Sequence, residues 1–278
     1  LGKAVGTGGE VDVDAADDGK GYGHNGSFMT SGGLPGHLAS CHHRAERVRS
    51  RIRHSRIRHR RIRHKPIRQN QKMTDSPTRR PLYFDCDTGI DDSLALAYLL
   101  ASPEIALAGI GTVSGNTSAA QAAHNTLGLL ALAGRDDVQV AVGRHDFLAH
   151  AYDGGAPHVH GDNGVGGVTL PDPRHEVAEG SAADLLIRLS HEHAGSLQVL
   201  AVGPLSNLAT ALQQDPTLPE RVARVTLMGG AALVPGNITP VAEANIANDP
   251  EAAALVLSAP WPVVVVPLDV TMEDVFEE

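Results

Sequence analysis

The sequence has 278 residues, room for one large domain or two small ones, and its 42% hydrophobic content is enough for a globular core. No apolar run is long enough to span a membrane, the N-terminus shows no basic-then-apolar pattern, and two cysteines, Cys41 and Cys86, give no disulfide framework, so a reducing, cytoplasmic setting is the expectation. The net charge of −9 is unevenly divided: residues 81–278 hold six Arg, no Lys and 25 acidic residues, which argues against non-specific nucleic-acid binding by that part.

Residues 1–72 do not read as part of a fold. The first forty are rich in Gly, Asp and Ser without a period. Then comes Arg47-Val48-Arg49-Ser50-Arg51-Ile52-Arg53-His54, with near-copies through Arg68. A basic run of this kind suggests nucleic acid or an anionic membrane when read as a motif. A low-complexity extension is the reading preferred here, and Met73 would make an ordinary start just before the first strand. The folded domain is therefore expected over 73–278.

From residue 81 strands and helices alternate. Pro81–Phe84 is a short apolar strand, and Ser93–Leu100 is a helix. Ile105–Val113 is a strand ending at Ser114-Gly115-Asn116, followed by a helix over Thr117–Ala133 closed by Gly134. Val138–Val142 is a strand and 143–176 a long loop; loops of that length are usually functional or mobile. Ser181–Ala194 is a helix, Leu197–Val202 a strand, Pro204–Gln214 a helix and Arg224–Met228 a strand. A second long loop covers Gly229–Asn248, before a helix over Pro250–Ser258 and a strand over Val263–Pro267. This order predicts an α/β fold with a mostly parallel central sheet, an open Rossmann-like sheet with helices on both faces. Ligands in such sheets bind at the carboxyl ends of the strands, and the notable polar residues fall there.

The densest cluster is Asp85-Cys86-Asp87-Thr88-Gly89-Ile90-Asp91-Asp92, four carboxylates in eight residues at a strand-to-helix junction. Gly89 supplies the turn, and Asp91 or Asp92 can cap the helix. The remaining carboxylates repel unless something positive sits among them. Oxygen ligands favour calcium or magnesium over zinc. Cys86 reads as a small core residue. Asn116, taken alone, reads equally as a helix cap.

These eight residues resemble the Asp-x-Asp-x-Gly-x-Asp-Asp signature of the inosine-uridine nucleoside hydrolases. Further segments resemble the same family in the same order. They are Gly115-Asn116, Val202-Gly203-Pro204-Leu205-Ser206-Asn207-Leu208-Ala209 and Met228-Gly229-Gly230. Gly236-Asn237, then Ala242-Glu243-Ala244-Asn245 and Asn248-Asp249-Pro250 follow. Residues 158–167, His158 to Gly167, resemble the family's mobile flap. The resemblance implies hydrolysis of the N-glycosidic bond of a small-molecule ribonucleoside to free base and ribose, with calcium as cofactor and a homodimer or homotetramer as the assembly. It implies Asp87 as general base and metal ligand, Asp92 as metal ligand, and the backbone carbonyl of Val202 as a third. Asn116 would lie beside the attacking water. Asp91, Asn237, Glu243 and Asn245 would hold the ribose, Met228 would pack near it, and His160 would contact substrate from the flap.

The resemblance also implies a C-terminal part beyond residue 278, carrying a further aspartate ligand and a histidine. A His follows the last strand in the family where Met272 stands here. The chain is therefore expected to be an incomplete enzyme with little activity of its own. Two rivals remain. A haloacid-dehalogenase-type phosphatase shares Asp-x-Asp-x-Thr, yet needs a downstream lysine that residues 81–278 lack. A non-catalytic nucleoside- or calcium-binding protein would keep the ligands without turnover. A zinc site at His158 and His160 lacks further ligands. Base preference is not readable from these residues.

Overall fold

The computed structural model describes residues 79–273. The readings of residues 1–72 lie outside the described residues. Strand β1 covers Arg80–Cys86, helix α1 Ile90–Ala101, β2 Ile105–Thr112, α2 Ala119–Ala133 and β3 Val140–Val142. The short helix α3 covers Pro157–His160, α4 Ala182–Glu192, β4 Leu197–Ala201, α5 Ser206–Gln214 and β5 Val222–Met228. Helix α6 covers Ala244–Asn248, α7 Pro250–Ser258, β6 Val263–Val266 and α8 Leu268–Thr271. Every strand pairing is parallel, in the order β3-β2-β1-β4-β5-β6. This is the expected α/β architecture with a parallel central sheet.

Strand β1 shows why both faces need covering. Its side chains alternate: Leu82, Phe84 and Cys86 enter one core with Leu96 and Leu99 of α1 and Leu127 and Leu130 of α2. Tyr83 enters the other, with Leu186 of α4, Leu208 of α5 and Val256 of α7. A strand buried on both sides must be apolar on both, and β1 is, until Asp85. The strand order reverses between β1 and β4, and the crevice of such a sheet opens at the carboxyl ends of those two strands. Asp85–Asp92 and Val202 sit there. Among the described residues no helix is long and apolar enough to cross a membrane.

Several element ends differ from expectation. Helix α2 starts at Ala119 because Ser118 caps it, its side chain accepting from the Gln121 N–H; it closes at Gly134 in the left-handed region (φ 66°). Strand β5 starts at Val222 and β3 at Val140. The last strand stops at Val266. Pro267 has no N–H to continue the ladder, and Leu268–Thr271 turns into a helix where the sequence suggested strand end. Both long loops hold a short helix, α3 and α6.

Candidate functional site

The turn after β1 is built by its own polar groups. Asp92, at the third position of α1, accepts from the Gly89 N–H at 2.7 Å and so closes the helix start. Of the two aspartates expected to cap, Asp92 does so; the Asp91 side chain is 80% exposed, with its carboxylate 3.8 Å from His160 Nδ1. Asn116 does not cap the following helix, which Ser118 does. Its Nδ2 donates to Asp92 Oδ2 at 3.1 Å, and its backbone N–H donates to Asp87 Oδ2 at 2.6 Å. One asparagine thus spans the two carboxylates. Asp87 is packed tightly from behind: a Cβ at Gly115 would collide with Oδ2, and one at Gly203 would stand 2.9 Å from Oδ1.

Asp87 and Asp92 are 1% and 3% exposed, and Asp87 Oδ1 is buried with no hydrogen-bond partner. Burial pushes the Asp87 carboxyl up, against the Asn116 N–H that favours its charge, and the nearby Asp91 adds to the rise. Burial also drives Asp92 well up, with the charges of Asp87 and Asp91 behind it. Two like charges in a dry turn with an unused oxygen form an arrangement that a cation relieves. Among the described residues no group of three or more His, Cys, Asp or Glu side chains converges to hold a metal. The metal ligands expected from the sequence, Asp87, Asp92 and the Val202 carbonyl, are all oxygen donors. That all-oxygen set fits a hard cation, whose other ligands would be water or substrate oxygens.

The Val202 carbonyl accepts from Asn245 Nδ2 at 2.9 Å, and the same nitrogen reaches the Met228 carbonyl at 3.1 Å. Asn245 thereby ties the ends of β4 and β5 together; a carbonyl has a second lone pair for another partner. Glu243 caps α6 through Asn245 N and Ile246 N and also accepts from Gly230 N at 2.8 Å. Its carboxylate therefore organises the Gly229–Asn248 loop as well as facing the site. Exposed Asn237 accepts from Ala244 N at 2.9 Å. His160, on α3, is nearly buried, and its Nδ1 accepts from Ile90 N at 3.2 Å. Among the described residues, His158 and His160 have no further side chains converging with them as a zinc site needs.

All the expected site residues except Asp87 line one cleft of about 690 Å³. Asp87 lies behind Asn116. Ile90, Ile238 and Leu268 give the cleft an apolar side. The residues missed by the sequence reading form a buried layer beneath. Asp85 accepts from the Tyr83 hydroxyl at 2.8 Å and from Asn207 Nδ2 at 3.1 Å. Burial lifts its carboxyl to about 7 despite both hydrogen bonds. Asn207 stands in the Pro204-Leu205-Ser206-Asn207 segment already singled out for Val202, so the signal was present. Burial pushes the Cys86 thiol well up, as suits a core residue.

The family model described as inosine-uridine preferring nucleoside hydrolase matches residues 82–278. Uridine nucleosidase 1 of Arabidopsis thaliana is 41% identical over 192 residues, covering 69% of this chain. The chain spans 57% of the length of that relative. Among solved structures, the plant nucleoside hydrolase PpNRh1 matches with a TM-score of 0.68 and 36% identity, over 70% of this chain and 61% of that one. A purine-preferring ribonucleoside hydrolase from Gardnerella vaginalis matches with a TM-score of 0.69 and 34% identity, over 71% and 63% respectively.

Proposed function

The chain belongs to the inosine-uridine preferring nucleoside hydrolase family, and on that premise we propose that its cleft serves hydrolysis of the N-glycosidic bond of ribonucleosides, giving free base and ribose. The observation that carries the reading is the buried pair Asp87 and Asp92, spanned by Asn116, with Asp87 Oδ1 left unpartnered behind the asparagine that lines the cleft. A carboxyl held up by burial is a competent proton acceptor near neutral pH. In this reading Asp87 takes the proton of the attacking water at Oδ1, and Asn116 fixes both carboxylates. Water adds to the anomeric carbon as its proton passes to Asp87, the bond to the base breaks with the departing nitrogen taking a proton from solvent, and the sugar passes through an oxocarbenium-like state that an acidic site stabilises.

Calcium is the metal that we propose. Asp87, Asp92 and the Val202 carbonyl would hold it, and when bound it would lower the pKa of a water ligand. Asp91, Asn237, Glu243 and Asn245 would offer acceptors and donors to the ribose hydroxyls, with Met228 packing near the sugar and His160 over it. Asn245 Nδ2 and Glu243 already hold backbone groups. Their share in sugar binding is then through their remaining lone pairs and amide oxygen.

The test is product analysis. Uridine, cytidine, inosine and adenosine are incubated with the full chain in calcium. Because the chain spans 57% of the Arabidopsis relative, a chimera carrying that relative's sequence beyond the matched segment is assayed alongside. Chromatography is expected to find free base and ribose in equal amounts from at least one nucleoside. If neither protein cleaves any of the four, the hydrolase reading fails. Nucleoside binding without cleavage would favour a binding protein instead.

A further inference from the structure

A buried amide lies between the acid-rich turn and the flap and has no place in the chemistry above. Asn125, on α2, is 2% exposed. Its Nδ2 donates to the Thr88 carbonyl at 3.2 Å and to the Asn163 carbonyl at 2.9 Å. Both partners are acceptors only, which fixes the amide's orientation without appeal to its hydrogens. The other end, Oδ1, accepts from Gln121 Nε2 at 2.9 Å. We infer that Asn125 is a positioning residue: its side chain latches the flap segment, residues 158–167 with Val168 bonded to it, to the turn that holds Asp87 and Asp92.

The latch grips a unit. Within the segment, Asn163 Oδ1 accepts from Val165 N at 3.1 Å and Gly167 N at 2.8 Å, and its Nδ2 donates to the Val168 carbonyl at 3.0 Å. Gly166 N donates to the His160 carbonyl at 2.7 Å. Holding the Asn163 carbonyl therefore holds the whole segment, His160 included. On the other side, Thr88 sits between Asp87 and Gly89, the residue whose N–H Asp92 accepts. A second tie, Ile90 N to His160 Nδ1, joins the same two segments nearer the cleft. Packing at the latch is close. A Cβ at Gly164, which adopts φ +81°, would stand 3.0 Å from Asn125 Nδ2. Removing Asn125's donors leaves two carbonyls unserved where little water reaches, and the cheapest relief is for the flap to open towards solvent. That an open flap would weaken substrate binding rests on the nucleoside reading of the cleft; the latch itself does not.

The experiment is hydrogen exchange by mass spectrometry on the full chain, with no nucleoside present, so its outcome is independent of whether the cleft hydrolyses anything. Two variants approach the latch from opposite sides. Asn125→Leu keeps the volume and removes the donors; Gly164→Ala leaves α2 untouched and pushes the flap off it. Amides of 158–168 are expected to exchange about tenfold faster in both, while those of β1 and β4 keep their wild-type rates. Flap amides unchanged in either variant would overturn the latch. So would sheet amides that accelerate in step with the flap, because Asn125 would then be an ordinary core residue.

Discussion

Asp85 and Asp87 are carboxyls held above their ordinary range by burial, Asp85 to about 7 from 3.8. A folded pKa raised above the unfolded value contributes stability that is full below the unfolded pKa and is lost as pH rises through the folded one. Protein treated with chelator should therefore melt lower at about pH 8 than at about pH 5. The proposed calcium would bind the ionised carboxylates, so its stabilisation should grow over the same window. Asp215 works in the opposite sense: the Thr217 hydroxyl lowers its pKa, so its contribution is lost only at more acid pH, outside this window. Melting curves with chelator and with calcium across this range check both signs. A chelated protein more stable at about pH 8 than at about pH 5 would refute the burial argument. The acidic turn was legible in the sequence because four carboxylates at one strand end exceed what helix capping uses; the place of Asp85 beneath it was not. Nor was Asn125, because a lone asparagine in a helical pattern gives no sign of which buried carbonyl it will meet; Asn207 was marked by its segment, though not its bond to Asp85.

At the start of α2 two polar residues divide the work, and the division can be measured. Ser118→Ala should lower stability by about 1 kcal/mol, the usual worth of a helix cap, and leave any nucleoside hydrolysis intact. Asn116→Ala should do the reverse, costing activity on the order of a hundredfold and little stability, because its side-chain amide serves Asp92 and not the helix, while the backbone N–H to Asp87 survives the change. Chemical denaturation and ribose release on both variants decide it; a stability loss confined to Asn116→Ala would mean that Asn116 is structural. The sequence allowed either reading of Asn116, since Asn is a good cap. Ser118 two residues on settles it only once the backbone places the helix start. The main strands and helices followed from their periods and apolar runs. Helices of four or five residues such as α3 and α6 carry too little period to be seen. Pro267 ends β6, but the helical turn after it is held by contacts from elsewhere: Asp269 accepts from Ala232 N and Leu233 N at 2.8 Å each, anchoring α8 to the loop after β5.

Over the whole molecule, the reversal of strand order beside β1 brings together residues that are far apart in the chain. Asp87, Asn116, Val202 and Asn245 meet because each ends a strand or follows one, at the same edge of the same sheet. That convergence was readable from the order of strands and helices; the distances were not, because they depend on twist and packing. A ligand that binds only this assembled edge stabilises the fold. Calcium should therefore raise the melting temperature, and Asp92→Ala, which removes one carboxylate of the set, should abolish the rise. A rise that survives Asp92→Ala would place the ion elsewhere. The central claim is that Asp87 is the proton acceptor of a nucleoside hydrolase. The most direct measurement is the rate of ribose release from the best nucleoside substrate, in calcium, by the wild-type and Asp87→Asn forms of whichever protein, chain or chimera, turns over. The account predicts a loss of at least about a hundredfold with the fold intact, since general-base catalysis alone is worth that much. Asp87→Asn turning over at the wild-type rate would contradict it.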